Sequence, residues 1–253
     1  MLKSILLSTC LILPGTFALT VPNPLAERGL DPADYGLTAR QLREHLFPRA
    51  GISTDGTISC EGGEPITSED GIVLGCSFHL DHQAITRAVS TLAPGTSPNV
   101  STRSLGLLKD EFSSKLSKRA FSGYLSSCYQ SGIWAKQSEL ILANQRMAPG
   151  YGKYGGTTLS VGYTEQNTLW RNVNGQDIKG TDGITNIQVD YTFSIVGSTG
   201  SIPSSWTNAY VLSQLNRIVT SVCIGQNSDS RGGGLTLKDG NCYISIKVDP
   251  NER

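Results

Sequence analysis

Apolar and polar positions alternate with two different periods along this 253-residue chain. The longest two-residue alternation lies between Ile184 and Val196. Ile187, Val189, Tyr191, Phe193 and Ile195 fall on one side and Gln188, Asp190, Thr192 and Ser194 on the other, which predicts a strand. Leu159, Val161 and Tyr163 predict a second strand over 157–164, and Ile244, Ile246 and Val248 a third. The third forms a hairpin with Leu235–Lys238 through Asp239-Gly240-Asn241. Phe121–Leu125 and Thr168–Val173 are shorter strand candidates. Helical spacing is clearest in Trp206, Tyr210, Val211, Leu215, Ile218, Val219 and Val222, with Ser204 or Ser205 as the cap. Ile133, Leu140, Ile141 and Met147 predict another helix over 133–147, stopped by Pro149-Gly150.

The first half is patterned differently. Met1-Leu2-Lys3, an apolar run from Ile5 to Leu13 and the small residues of Thr16-Phe17-Ala18 predict a signal peptide over 1–18, hence a secreted, extracellular product. Residues 19–49 read as a pro-segment, with one helix over Leu37–Leu46 that ends at Phe47-Pro48 and a monobasic cleavage signal at Arg49. Residues 50–93 read as a small disulfide-stapled unit. It has strands at Gly56–Cys60 and Gly71–Cys76, a turn-rich link over 61–65, and a helix from Ser77 to Leu92 marked by Leu80, Ala84 and Ala88. Residues 94–119 are a linker with a short helix near 105–116. It carries the glycosylation sequon Asn99-Val100-Ser101 and closes on Lys118-Arg119, the chain's single adjacent basic pair. That pair precedes a shift to Gly-rich, aromatic sequence, so a processing protease is an expected partner. Residues 120–253 then form a C-terminal α+β domain: two helices packed on one face of an antiparallel sheet bury all of its apolar stripes together.

Chemistry enters through a few residue types. Cys10 leaves with the signal peptide, and Cys60, Cys76, Cys128, Cys223 and Cys242 remain for disulfides in an oxidising compartment. A Cys60–Cys76 bridge would staple the small unit. Cys128 can pair with Cys223 or Cys242, and the odd thiol stays free or links chains. All three histidines, His45, His79 and His82, precede Arg119. The C-terminal domain therefore lacks His-activated nucleophiles, and no catalytic residue, metal site or cofactor is expected. Glu139, Glu165, Asp177, Asp182 and Asp190 are the acids left for hydrolytic chemistry, with Asp190 on the polar side of the long strand and so expected at the surface. Lys plus Arg and Asp plus Glu both number 21, so nothing calls for nucleic acid as a partner. Trp170, Tyr151 and Tyr154 are candidate exposed aromatics for binding, while Trp206 belongs to a core stripe.

This precursor layout resembles fungal secreted killer toxins and plant-pathogen effectors. The local likeness lies in a helix reaching Cys223-Ile224-Gly225, a polar loop, then Gly234-Leu235-Thr236-Leu237 and a final strand. The resemblance implies an α/β-sandwich, killer-toxin-like fold in 120–253. It also implies action by binding a target-cell surface component or membrane. A cell-wall or carbohydrate-binding module is the alternative, and a carboxylate-dependent hydrolase a further one.

Overall fold

A computed structural model describes residues 37, 39–80, 82–95, 121, 123–130, 132–181, 186–196, 200–225 and 227–253. The expected signal peptide, the part of the expected pro-segment before residue 37, the expected helix near 105–116, Asn99, Lys118, Arg119 and Asp182 lie outside the described residues. In chain order the elements are α1 (Ala39–Leu46), β1 (Gly51–Ile52), β2 (Ile58–Ser59), β3 (Glu64–Thr67), β4 (Val73–Leu80) and α2 (His82–Leu92). They continue with β5 (Gly123–Cys128), β6 (Ala135–Lys136), α3 (Gln137–Gly152), β7 (Thr164–Leu169) and β8 (Ile187–Ile195). Last come α4 (Asn208–Arg217), running on as a π-helical turn over Ile218–Val222, then β9 (Asp229–Ser230), β10 (Gly233–Asp239) and β11 (Cys242–Glu252).

The protein is α+β, built on one seven-stranded antiparallel sheet in the order β3-β4-β7-β8-β11-β10-β5. β3 and β4, from the segment read as a small disulfide-stapled unit, are two neighbouring strands of this sheet. β4 pairs with β7 from Gly75↔Leu169 to Leu80↔Thr164. Gly75 permits the approach, because a Cβ there would run into the backbone of Thr168 and Leu169. β3 is one edge strand, where Pro65 lacks an N–H without breaking a central ladder.

The alternation of β8 sorts the two faces. Ile187, Val189, Tyr191, Phe193 and Ile195 share a core with Leu140, Ala143 and Met147 of α3 and with Val211 and Leu215 of α4. Polar links cross this core: Tyr191 Oη donates to Asn144 Oδ1 (2.9 Å), and Asn144 Nδ2 donates to Asn216 Oδ1 (3.0 Å). Trp206 is buried as expected, and its indole N–H donates to the Tyr151 carbonyl at 3.0 Å. A second core gathers Leu42 of α1, Ile85, Ala88 and Val89 of α2, Cys76, Phe78 and Leu80 of β4, and Trp170.

Several boundaries differ from expectation. The strand read as ending at Cys76 continues to Leu80, because Cys76, Phe78 and Leu80 all point into the second core while β7 pairs the backbone. α3 starts at Gln137 rather than Ile133, since Ala135-Lys136 pairs with Asp229-Ser230. It also runs past Pro149-Gly150 to bury Tyr151, so packing overrides an unfavourable residue. No strand forms over 157–163. Gly162 takes a φ of +86° in a turn, and the strand begins only at Thr164. The cap of α4 is Thr207, whose side chain accepts from the Tyr210 N–H.

Disulfides join Cys60 to Cys76 and Cys128 to Cys223, with Cα separations of 5.4 and 5.3 Å. Each closes on one side of Lys118-Arg119. Cys242 is unpaired and buried. Burial, then the charge of Asp239, pushes its thiol up to about 11, so it is a packing residue rather than a reactive one.

Candidate functional site

β7 is buried along its whole length, although five of its six residues are polar. The register sets His79 opposite Glu165 and Ser77 opposite Asn167. Glu165 is 2 % exposed, and a carboxylate so placed must be hydrogen-bonded. It accepts from Tyr154 Oη, from Tyr163 Oη (3.3 Å), from Asn167 Nδ2 (3.0 Å) and from Ser77 Oγ (3.3 Å), all neutral donors. Tyr163 Oη lies 2.7 Å from Tyr154 Oη and 2.8 Å from Nδ1 of His79, whose side chain reaches solvent. A continuous path of hydrogen bonds thus joins a buried carboxylate to an exposed imidazole.

The phenols stay protonated at neutral pH. Burial, then the hydrogen bond to Glu165, drives the Tyr154 phenol far above its ordinary range. Burial raises Tyr163 to about 12, against the pull of the Tyr154 hydrogen bond. Both are therefore donors and not nucleophiles. Tyr154→Phe removes one donor from the buried carboxylate and is expected to destabilise the fold by roughly 1.5–3 kcal/mol. Urea unfolding of the variant measures this; a change below about 0.5 kcal/mol would show that Glu165 does not depend on that bond.

The opposite face of the sheet holds a second polar group. Asp190 and Asp249 are directly paired across β8 and β11. Asp190, expected at the surface, is 1 % exposed because α1 lies over it. It accepts from Thr168 Oγ1, Gln188 Nε2 (3.0 Å) and Asn251 Nδ2 (3.0 Å), and Arg43 Nε of α1 is 4.0 Å away. Burial, the largest influence, raises the Asp190 carboxyl against the pull of Arg43.

The aromatic residues singled out for binding are elsewhere than expected. Trp170 and Tyr151 are at most 1 % exposed, and Tyr154 is buried except for an edge. Trp170 is capped by the Arg43 guanidinium 5.7 Å from its ring centre, and its N–H donates to Gln188 Oε1 at 3.2 Å. Tyr151 and Tyr154 each stack on Phe193 at 5.2 Å. Of the other acids, Glu139 accepts from Asn172 Nδ2 (3.2 Å), and Asp177 pairs with Arg253 (2.9 Å) and Arg171 (3.8 Å). His79 lies on a strand and not on the expected helix. A hollow of about 400 Å³ opens between Gly152, Gly155, Ser204 and Trp206–Ala209, and neither polar network lines it. Among the described residues no cluster of three or more His, Cys, Asp or Glu could hold a metal ion, and no helix is long and apolar enough to cross a membrane.

No protein-family model, curated protein or solved structure matches this chain. Its functional reading therefore stands on these residues and their layout. Both networks share one property. His79 and Ser77 come from the segment before Lys118-Arg119, whereas Tyr154, Tyr163 and Glu165 come from the segment after it. Arg43 and Asp190 are divided in the same way. Glu165 and His79 stand far apart in the sequence. Only the alternation of Cys76, Phe78 and Leu80 hints that His79 shares a strand face with Ser77.

Proposed function

We propose that the chain is a secreted precursor matured into a two-chain, killer-toxin-like protein or effector. It acts by binding a component of a target cell's surface or its membrane. The carrying observation is that each disulfide closes on one side of Lys118-Arg119, while β4 and β7 pair across that division. A cut after Arg119 then severs neither a disulfide nor a strand ladder, so the product stays assembled through the sheet. The two disulfides also suit the oxidising compartment of a secretory route. In this reading α3 and α4 form the helical layer on one face of a killer-toxin-like sandwich. The sugar-stacking alternative loses its support, because the rings meant to stack are buried.

Two measurements test this. Under native conditions the secreted material should run as one particle. Denatured without reductant, it should separate into two chains, one starting at Ala120. A single chain continuous through Lys118-Arg119 would remove the maturation step. Labelled mature protein should also be retained saturably by fungal cells or plant protoplasts and be displaced by unlabelled protein; retention by neither sinks the binding role.

A further inference from the structure

The helix α1 sits on the mature part of the protein as a ligand would. Its eight residues fall short of the roughly 12–15 that an isolated helix needs to persist in water, so its structure depends on what it covers. Leu42 is 1 % exposed in the second core, and Phe47, just past the helix, stacks on Phe78 at 4.5 Å. Arg43 is also buried, at 3 %. Its Nη1 donates to the Ala50 carbonyl at 3.1 Å, its guanidinium covers Trp170, and its Nε has no hydrogen-bond partner. That orphaned Nε faces Asp190 from 4.0 Å, longer than a charge-assisted hydrogen bond. Neither disulfide reaches the segment. It ends at Arg49, whose side chain is 78 % exposed and pairs with Glu61 at 3.0 Å.

We propose that the surface under α1, with Phe78 and Trp170 as its apolar wall and Asp190 as its acidic floor, is a docking groove for an arginine-bearing amphipathic helix of a partner protein, which residues 37–49 occupy until they are cut away. This rests on the maturation reading and names the chemistry of its partner. An amphipathic helix in a groove is recognised by spaced apolar anchors, here Leu42 and Leu46, and the buried Arg43 between them adds charge selectivity. Arg40 and Glu44 pair at 2.7 Å on the outward side, so the segment carries the two-sided pattern of a docked helix.

The test uses the native chain cut after Arg49 by limited Arg-specific digestion, isolated by mass, with a labelled synthetic peptide of residues 37–49 as probe. The cut chain should bind the peptide saturably and the uncut chain should not. Arg43→Ala in the peptide should weaken binding at least tenfold. Asp190→Asn in the protein should do the same, and the two changes together should lose little more than either alone. Equal binding of the Arg43→Ala peptide overturns the proposal. So does a cut chain that loses cooperative unfolding when the segment leaves, because α1 is then part of the core. Binding to phosphatidylcholine vesicles with none to the peptide points to lipid and overturns it as well. Whether secreted material starts at Ala50 is read separately from its N-terminal mass, so failure of maturation and failure of the groove are told apart.

Discussion

A chain with serine at both Cys128 and Cys223 is expected to unfold about 4–5 kcal/mol more easily than the native chain. The bridge spans 95 residues and so removes a large closure entropy from the unfolded state, whereas Cys60–Cys76 spans 16 and should contribute about 3 kcal/mol. Native geometry adds to the first. β5 is an edge strand paired only with β10, and the bridge pins its last residue to the end of the π-helical turn after α4. Gly233 leaves space for the Cys223 sulfur beneath it. Urea melts without reductant should rank the two double-serine variants in that order. The reverse order, or a loss under about 1 kcal/mol for Cys128/Cys223, would show that loop length does not set the stabilisation.

The elements legible in sequence are those whose two sides meet different surroundings. β8 reads plainly because one side faces α3 and α4 and the other faces polar partners, and the β10–β11 hairpin reads plainly through Asp239-Gly240-Asn241, where Gly240 takes a φ of +56°. β7 was hidden for the opposite reason. Both of its sides are buried, yet Glu165 and Thr168 are satisfied by side chains of other elements, so no apolar alternation marks it. Trp170 misleads in the same way. Its neighbours Arg171 and Asn172 suggest solvent, but Arg43, more than a hundred residues earlier, closes over the ring. The expected division near Arg119 follows from composition, which is local. The sheet that crosses it depends on β4 finding β7, and a scan of periodicity along the chain contains no such information.

Acidity should stabilise this protein through Asp249. Burial, then the charge of Asp190 beside it, pushes the Asp249 carboxyl up from 3.8 to about 7. Between those values the unfolded chain has released the proton and the folded chain still holds it, so stability falls as pH rises, by about 1.36 kcal/mol per unit. The loss is complete above about 7, where Asp249 is ionised in both states. From pH 5 to pH 8 it should amount to about 2–3 kcal/mol. Other groups around it move the balance little in that window. Lys247 on β11 favours the ionised form, and the hydrogen bond from Asn251 acts in the same sense. Asp190 is raised as well and adds loss of the same sign wherever it titrates. Asp249→Asn should therefore gain on the native chain as pH rises, with an advantage about 2–3 kcal/mol larger at pH 8 than at pH 5 and a flatter line between. Parallel lines for the two proteins, in urea melts repeated at each half unit of pH, would mean that the Asp190–Asp249 pair does not share a buried charge.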